Sequence, residues 1–249
     1  MKQHIPNAIT LLNLFCGSIA VIFTVNNNLL TAAIFVFLGI FFDFFDGFAA
    51  RKLKVQSELG LQLDSLADVV TSGLVPGLVM YKLLVLSLDR VVLNSSNGWS
   101  GNGFSGITPA SLLPLFGLFI TLASAYRLAK FNIDDEQQTY FKGLPTPANA
   151  LLILSLPLIL EFQDNDVINA VILNKWFLIA VTILSCYLLN SKIKLFALKF
   201  KDFSFKANAI RYIFLILSLV MLIVLQFAAV PFIIVLYILL SVLDKSTSK

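Results

Sequence analysis

Residues 43–68 read DFFDGFAARKLKVQSELGLQLDSLAD and place Asp43, Asp46, Asp64 and Asp68 at the edges of two otherwise apolar stretches. A carboxylate held near membrane depth is costly. It persists mainly where it faces a protein interior and has a cationic partner or a chemical task. Arg51 is the one cation of this segment expected to point the same way, so four acids need more positive charge than it supplies. A pair of bound divalent metal ions meets that need.

The surrounding chain sets the class. Of its 249 residues 58% are hydrophobic and 13% charged, with a mean hydropathy of +0.89. A soluble domain of this length exposes far more charge, so the expectation is an all-α, polytopic integral membrane helix bundle. Cys16 and Cys186 fall within apolar runs and read as free thiols, neither a disulfide framework nor a metal site. His4 is the single histidine and stands at the amino-terminal edge, which leaves no basis for histidine catalysis. The first apolar stretch shows no small-residue cleavage site before Asn26, Asn27 and Asn28, and reads as a retained helix.

A membrane-crossing helix needs about 20 apolar residues. That ruler gives eight transmembrane candidates, at 7–25, 29–50, 61–87, 108–130, 146–163, 170–190, 209–226 and 228–243. The third is long and is expected to project beyond the bilayer; the fifth and eighth are short. With the amino terminus inside and alternating spans, the inside set is Lys2, Arg51, Lys52, Lys54, Arg127, Lys130, Lys142, Lys192, Lys194, Lys199, Lys201, Lys206, Arg211, Lys245 and Lys249. The outside set is Lys82, Arg90 and Lys175, so fifteen of the 18 basic residues fall inside. The positive-inside bias thus puts both termini and all four aspartates on the cytoplasmic side. Residues 1–190 are expected to form the catalytic transmembrane core, and 191–249 a basic cytoplasmic connector with two carboxy-terminal helices. The connector, SKIKLFALKFKDFSFKANAIR at 191–211, reads as a membrane-surface segment that also attracts anionic headgroups. The glycine-rich outer loop at 94–106, with Trp99 and Phe104 at the interface, offers no chemistry. A nucleic-acid partner is not expected.

Helical geometry gathers the acids. At about 100° per residue, Asp46 lies about 60° to one side of Asp43, Gly47 about 40° to the other and Ala50 about 20° away. The acidic stripe is therefore also a small-residue stripe, which lets a ligand or backbone approach closely. Gly60, Asp64 and Asp68 repeat every fourth residue on the next helix, again one stripe. Oxygen-only ligands favour hard cations, so Mg2+ or Mn2+ is expected; Ca2+ also suits oxygen, whereas zinc more often takes histidine or cysteine. Two such metals clamp both ends of a phosphoryl displacement, and Arg51 can fork onto phosphate oxygens. The site suits a diphosphate arriving from the cytoplasm with its lipid tail in the bilayer. Two other readings stand beside this one. Asp43 or Asp46 could pair with Arg51 or a lysine, leaving the rest as helix-end charges. A cation-coupled membrane transporter also uses intramembrane acids, but spreads them through the membrane depth instead of clustering them at one end.

The pattern Asp43-x2-Asp46-Gly47-x2-Ala50-Arg51-x8-Gly60-x3-Asp64-x3-Asp68 resembles, at every fixed position, the signature of the CDP-alcohol phosphatidyltransferase family. The resemblance implies an integral membrane enzyme with a six-helix core that displaces CMP from a CDP-linked lipid by an alcohol. It implies that the four aspartates bind two divalent metal ions, with Asp68 also the general base on the acceptor hydroxyl. It further implies CDP-diacylglycerol contacts at Gly47, Ala50, Arg51, Ser57 and Gly60, with Asn7 and Thr10 approaching from the first helix. A homodimer through membrane helices is also implied.

Three more stretches, IPNAITLLNLFCG at 5–17, SAYRLAKFN at 124–132 and FKGLPTPANA at 141–150, resemble the branch that makes phosphatidylserine. Together with DSLADVVTSGLVPG at 64–77, the likeness covers about the first 150 residues. It implies CDP-diacylglycerol and L-serine as substrates, with phosphatidylserine and CMP as products. Serine carries a carboxylate that needs a fixed cation; Arg127 is the first candidate, with Lys130 and Asn132 beside it. Lys130 stands where arginine is more usual, which keeps the charge and loses the fork. Glycerol 3-phosphate would also suit Arg127, Lys130 and Lys142, so a phosphatidylglycerophosphate synthase, or another member of the family, is the alternative. Ordinary positive-inside anchoring accounts for the same basic residues.

Overall fold

A computed structural model describes residues 4–88, 112–133, 141–163, 165–196 and 205–243. The outer loop at 94–106, with Trp99 and Phe104, lies outside the described residues, as do Lys2, Arg90, Lys199, Lys201, Lys245, Lys249 and the side chain of Lys206.

Helix α1 (His4–Val25) turns back into α2 (Leu29–Leu53) through the three asparagines. Asn27 takes the left-handed conformation at φ 61°, which asparagine tolerates better than most residues. Asn28 caps α2 by accepting a bond from the Thr31 N–H at 3.1 Å. At its far end α2 carries Arg51 and Lys52 in the last turn, where cations suit the helix dipole. The helix stops at Lys54, left-handed at φ 55°, with the Val55 N–H bonded back to the Ala50 carbonyl. Ser57 then opens α3 (Glu58–Leu88), its hydroxyl accepting from the Gly60 N–H at 3.1 Å.

Helix α3 widens into a π-helical turn over Val69–Leu74, directly after Asp68. Pro76 supplies a physical reason. It has no N–H to give, and its ring would strike the carbonyl four residues back in a regular α-helix; instead the Val75 N–H reaches Val70. The 31 residues of α3 extend about 46 Å, longer than the hydrocarbon layer of about 30 Å. The expectation that this segment projects agrees with that length.

The chain continues with a 3-10 turn (Leu113–Leu118) into α4 (Phe119–Ile133), then β1 (Phe141–Lys142), α5 (Thr146–Phe162), α6 (Asp166–Ile172) and α7 (Lys175–Asn190). Strand β2 (Lys194–Leu195) pairs antiparallel with β1, Phe141 opposite Leu195 and Lys142 opposite Lys194. Helices α8 (Phe205–Leu225) and α9 (Ala229–Leu243) complete the described chain, joined by a 3-10 turn at Gln226–Ala228. The all-helical class holds, apart from this ribbon.

The expected boundaries agree with these helices to within a few residues, but the count of eight complete crossings does not follow. Among the described residues four helical stretches are long and apolar enough to cross, or five if α6 and α7, bent by 60°, form one broken span. The described part of the fourth candidate runs from 112 through a 3-10 turn into α4, and α5 has 17 residues, just under the length of a full crossing. The stretch Asn208–Leu243 counts as one by length, yet the rings of Phe214 and Tyr237 are 5.6 Å apart. In a straight helix those residues would be separated by about 35 Å. Gln226, at φ 50°, folds the stretch into a hairpin.

The bundle is apolar outward and polar at selected points inward. Phe15, Phe44, Leu122 and Ile223 are exposed, as lipid-facing residues are. Ala20, Ala32, Ala33, Val36, Val79, Met80, Leu83 and Ile153 form the buried core. Gly117 lets two backbones touch: a Cβ there would lie 2.6 Å from the Tyr81 nitrogen. Cys16 and Cys186 are free thiols, as read from the sequence. The connector departs from expectation in part. Leu195 and Phe196 are buried instead of resting on the membrane surface, because Phe196 is boxed in by the Phe214 and Tyr237 rings.

Candidate active site

The four aspartates meet where the end of α2 faces the start of α3. One oxygen from each of Asp43, Asp46 and Asp64 lies within 4.8 Å of the other two. Asp43 and Asp64 are in side-chain hydrogen-bonding contact. Ionised carboxylates only accept, so such a contact requires a proton or a cation between them. Ligand oxygens around one Mg2+ at about 2.1 Å stand at most about 4.2 Å apart. The triad therefore needs only small side-chain rotations to grip one hard divalent cation, and its all-oxygen donor set suits that ion class.

Helix α1 pins the two buried acids. Thr10 donates to Asp46 Oδ2 at 2.5 Å, and Asn13 Nδ2 donates to Asp68 Oδ1 at 3.3 Å. The π turn joins the same contact, with the Thr71 hydroxyl donating to the Asn13 carbonyl at 3.2 Å. Asp68 stands outside the convergent triad and has Asp64, Asp46 and Arg127 within electrostatic range. Asn13 and Thr71 were not singled out from the sequence. Asn13 lies two turns from Asn7 within the same motif-bearing helix, and that position is the one signal that pointed toward it.

Beside the triad opens a cavity of about 490 Å³, a size typical of small-molecule sites. Asn7, Thr10, Gly47, Ala50, Arg51, Ser57 and Gly60 all line it, together with Asp46 and Asp64. The glycines keep its wall low. A Cβ on Gly60 would sit 3.2 Å from Ser57 Oγ and 3.3 Å from Asn7 Oδ1, and one on Gly47 would sit 3.3 Å from Arg51 Nη1. Pro6, Val55, Gln56, Glu58 and Leu61 also contribute. No spacing rule reveals Val55 and Gln56, because 55–57 form the loop between the helices.

On the far side of Asp68, Arg127 is buried on α4. Its Nε has no hydrogen-bond partner among the described residues. Arg127, Lys130 and Lys142 line a second, water-sized cavity of about 20 Å³, closed by Leu189, Asn190 and Ser191 at the end of α7. Lys130 is largely exposed. Asn132 does not line this cavity. It exchanges two bonds with Ser65, Oγ to Oδ1 at 3.2 Å and Nδ2 to Oγ at 2.9 Å, which tie α4 to α3.

Comparison with known proteins agrees with this geometry. A CDP-diacylglycerol–serine O-phosphatidyltransferase of Bacillus subtilis is 34% identical over 169 residues, covering 68% of this chain and 81% of the relative. Its namesake from Methanocaldococcus jannaschii is 30% identical over 169 residues, covering 68% of each chain. That of Saccharomyces cerevisiae is 30% identical over 169 residues, covering 61% of this chain and 53% of the relative. Residues 3–188 match the profile of CDP-alcohol phosphatidyltransferase, and the chain belongs to that family.

Proposed function

We propose that this protein transfers the phosphatidyl group of CDP-diacylglycerol to the hydroxyl of L-serine, giving phosphatidylserine and CMP. One observation carries the reading: all seven residues expected to contact CDP-diacylglycerol line a single cavity that opens onto the acidic triad. The names of the relatives supply the acceptor.

The chain's own residues then take definite parts. Gly47, Ala50 and Gly60 admit the nucleotide to the wall, and Arg51 meets its phosphate oxygens from the rim. Asp43, Asp46 and Asp64, joined by Asp68, hold two divalent ions, Mg2+ or Mn2+. Such ions offset charge on the diphosphate and the departing CMP. Asp68 takes the proton of the serine hydroxyl as its oxygen bonds to the phosphatidyl phosphorus and the bond from that phosphorus to CMP breaks. Asn13 aims the Asp68 carboxylate. Arg127 holds the serine carboxylate, with Lys130 near it. Positioning and fixed charge carry most of a phosphoryl transfer. The site faces the cytoplasm in the inner membrane, following the positive-inside distribution, and the protein acts as a homodimer, which crosslinking in native membranes tests.

Purified protein given CDP-diacylglycerol and Mg2+ with serine, glycerol 3-phosphate or inositol in parallel should release CMP with serine. Product from glycerol 3-phosphate alone would move the protein to the phosphatidylglycerophosphate branch. Cation flux into liposomes without CMP release would point to a transporter instead.

A further inference from the structure

The match to the family profile ends at residue 188, yet residues beyond it build one side of the Arg127 cavity. The connection runs through short, specific contacts. Tyr237 on α9 donates its hydroxyl to the Phe196 carbonyl at 2.8 Å. Ser241, one turn on, accepts the Phe196 N–H at 3.4 Å. The Phe196 ring packs edge-on against Tyr237 at 5.0 Å and against Phe214 of α8 at 5.8 Å. Phe196 directly follows β2, and β2 holds β1, which carries Lys142. The Gly143 N–H bonds to Ile193 and the Leu144 N–H to Leu188, each at 2.9 Å. Leu144, Leu188, Leu195 and Ile234 form a separate apolar cluster against which Tyr237 packs. Lys142 and Leu189–Ser191, both held by this assembly, are walls of the cavity that Arg127 faces. Arg127 itself has Tyr237 within electrostatic range as well as Asp68.

We infer that the carboxy-terminal hairpin is a positioning device for the acceptor alcohol: Tyr237, latched to Phe196, holds the β1–β2 ribbon and fixes the cavity around Arg127. The inference rests on the reading of Arg127 as the acceptor's cation. It gives the last two helices a part in acceptor binding that the nucleotide cavity, built wholly from residues 6–64, does not share. Tyr237 is a positioning residue, because it acts through the ribbon and Arg127.

The test uses the full-length protein in vesicles, with Tyr237→Phe removing the hydroxyl and keeping the ring. One lost hydrogen bond of ordinary strength should raise KM for serine about fivefold. KM for CDP-diacylglycerol and kcat should stay at wild-type values, and the thermal midpoint should fall by no more than about 2–4 °C. Leu239→Ala, on the exposed side of α9, should change none of these. An unchanged KM for serine in Tyr237→Phe would overturn the latch, as would equal losses for both substrates. Arg127→Lys separates this result from a failure of the underlying reading. If it raises KM for serine while Tyr237→Phe does not, the acceptor site stands and the latch falls. If neither variant alters serine dependence, the assignment of Arg127 falls and the latch with it.

Discussion

Asp68 is held 3.3 Å from the Asn13 amide, with Arg127 within electrostatic range of its carboxylate. Asp68→Asn keeps the shape and removes the base, so CMP release should fall by at least about a hundredfold. An assay of CMP with saturating substrates checks it, and full turnover would remove Asp68 from that role. Asn13→Leu leaves the base in place and frees it to swing. A loss of about tenfold in kcat with KM for CDP-diacylglycerol unchanged is expected, in the range found when a group that orients a reactive one is lost. Gly60 makes a different demand. Gly60→Val would crowd Ser57 and Asn7, already 3.2–3.3 Å from a single added carbon, and should raise KM for CDP-diacylglycerol about tenfold or more while leaving serine dependence alone.

At the scale of elements, α3 shows what was legible and what was not. The four-residue spacing of Gly60, Asp64 and Asp68 predicts one stripe, and the structure places Gly60 and Asp64 on one cavity, with Asp68 behind them. Helix ends were read from apolar length alone, so 29–50 and 61–87 stop short of Leu29–Leu53 and Glu58–Leu88, whose ends Lys54 and Ser57 mark. The π turn was not read, although Pro76 within an apolar run was the clue. Its cause is a steric conflict along one helix, whereas the bonds that make it useful, from Thr71 to Asn13, depend on how α1 packs. Contacts such as Thr10–Asp46 are hidden for the same reason: threonine is ordinary in a membrane helix until its neighbour is known. The close approach at Gly117 yields a stability prediction. Gly117→Val would push the 3-10 turn off α3, costing about 1–3 kcal/mol, read as a lowered unfolding midpoint in detergent. A wild-type midpoint would mean the two backbones separate freely.

Across the whole molecule, apolar residues outside and a few polar groups inside identify a membrane protein at once, but span count proved harder than class. The break near Gln226 was legible, since 209–226 and 228–243 were expected as separate helices, and the Phe214–Tyr237 contact folds them into a hairpin. Orientation is open to direct measurement. In a protein with Cys16 and Cys186 replaced by alanine, Lys52→Cys should react with a membrane-impermeant thiol reagent from the cytoplasmic face, and Lys175→Cys from the opposite face. Both positions are exposed, and the reverse pattern would invert the proposed topology. Exhaustive chelation should abolish CMP release, with Mg2+ or Mn2+ restoring it.

The large cavity takes its entire lining from 59 consecutive residues, Pro6 to Asp64, whereas the cavity beside Arg127 is lined from segments scattered between 127 and 191. On the proposed reading, lineages are then free to retool the incoming alcohol by editing the distal chain, while the grip on the nucleotide passes down unaltered.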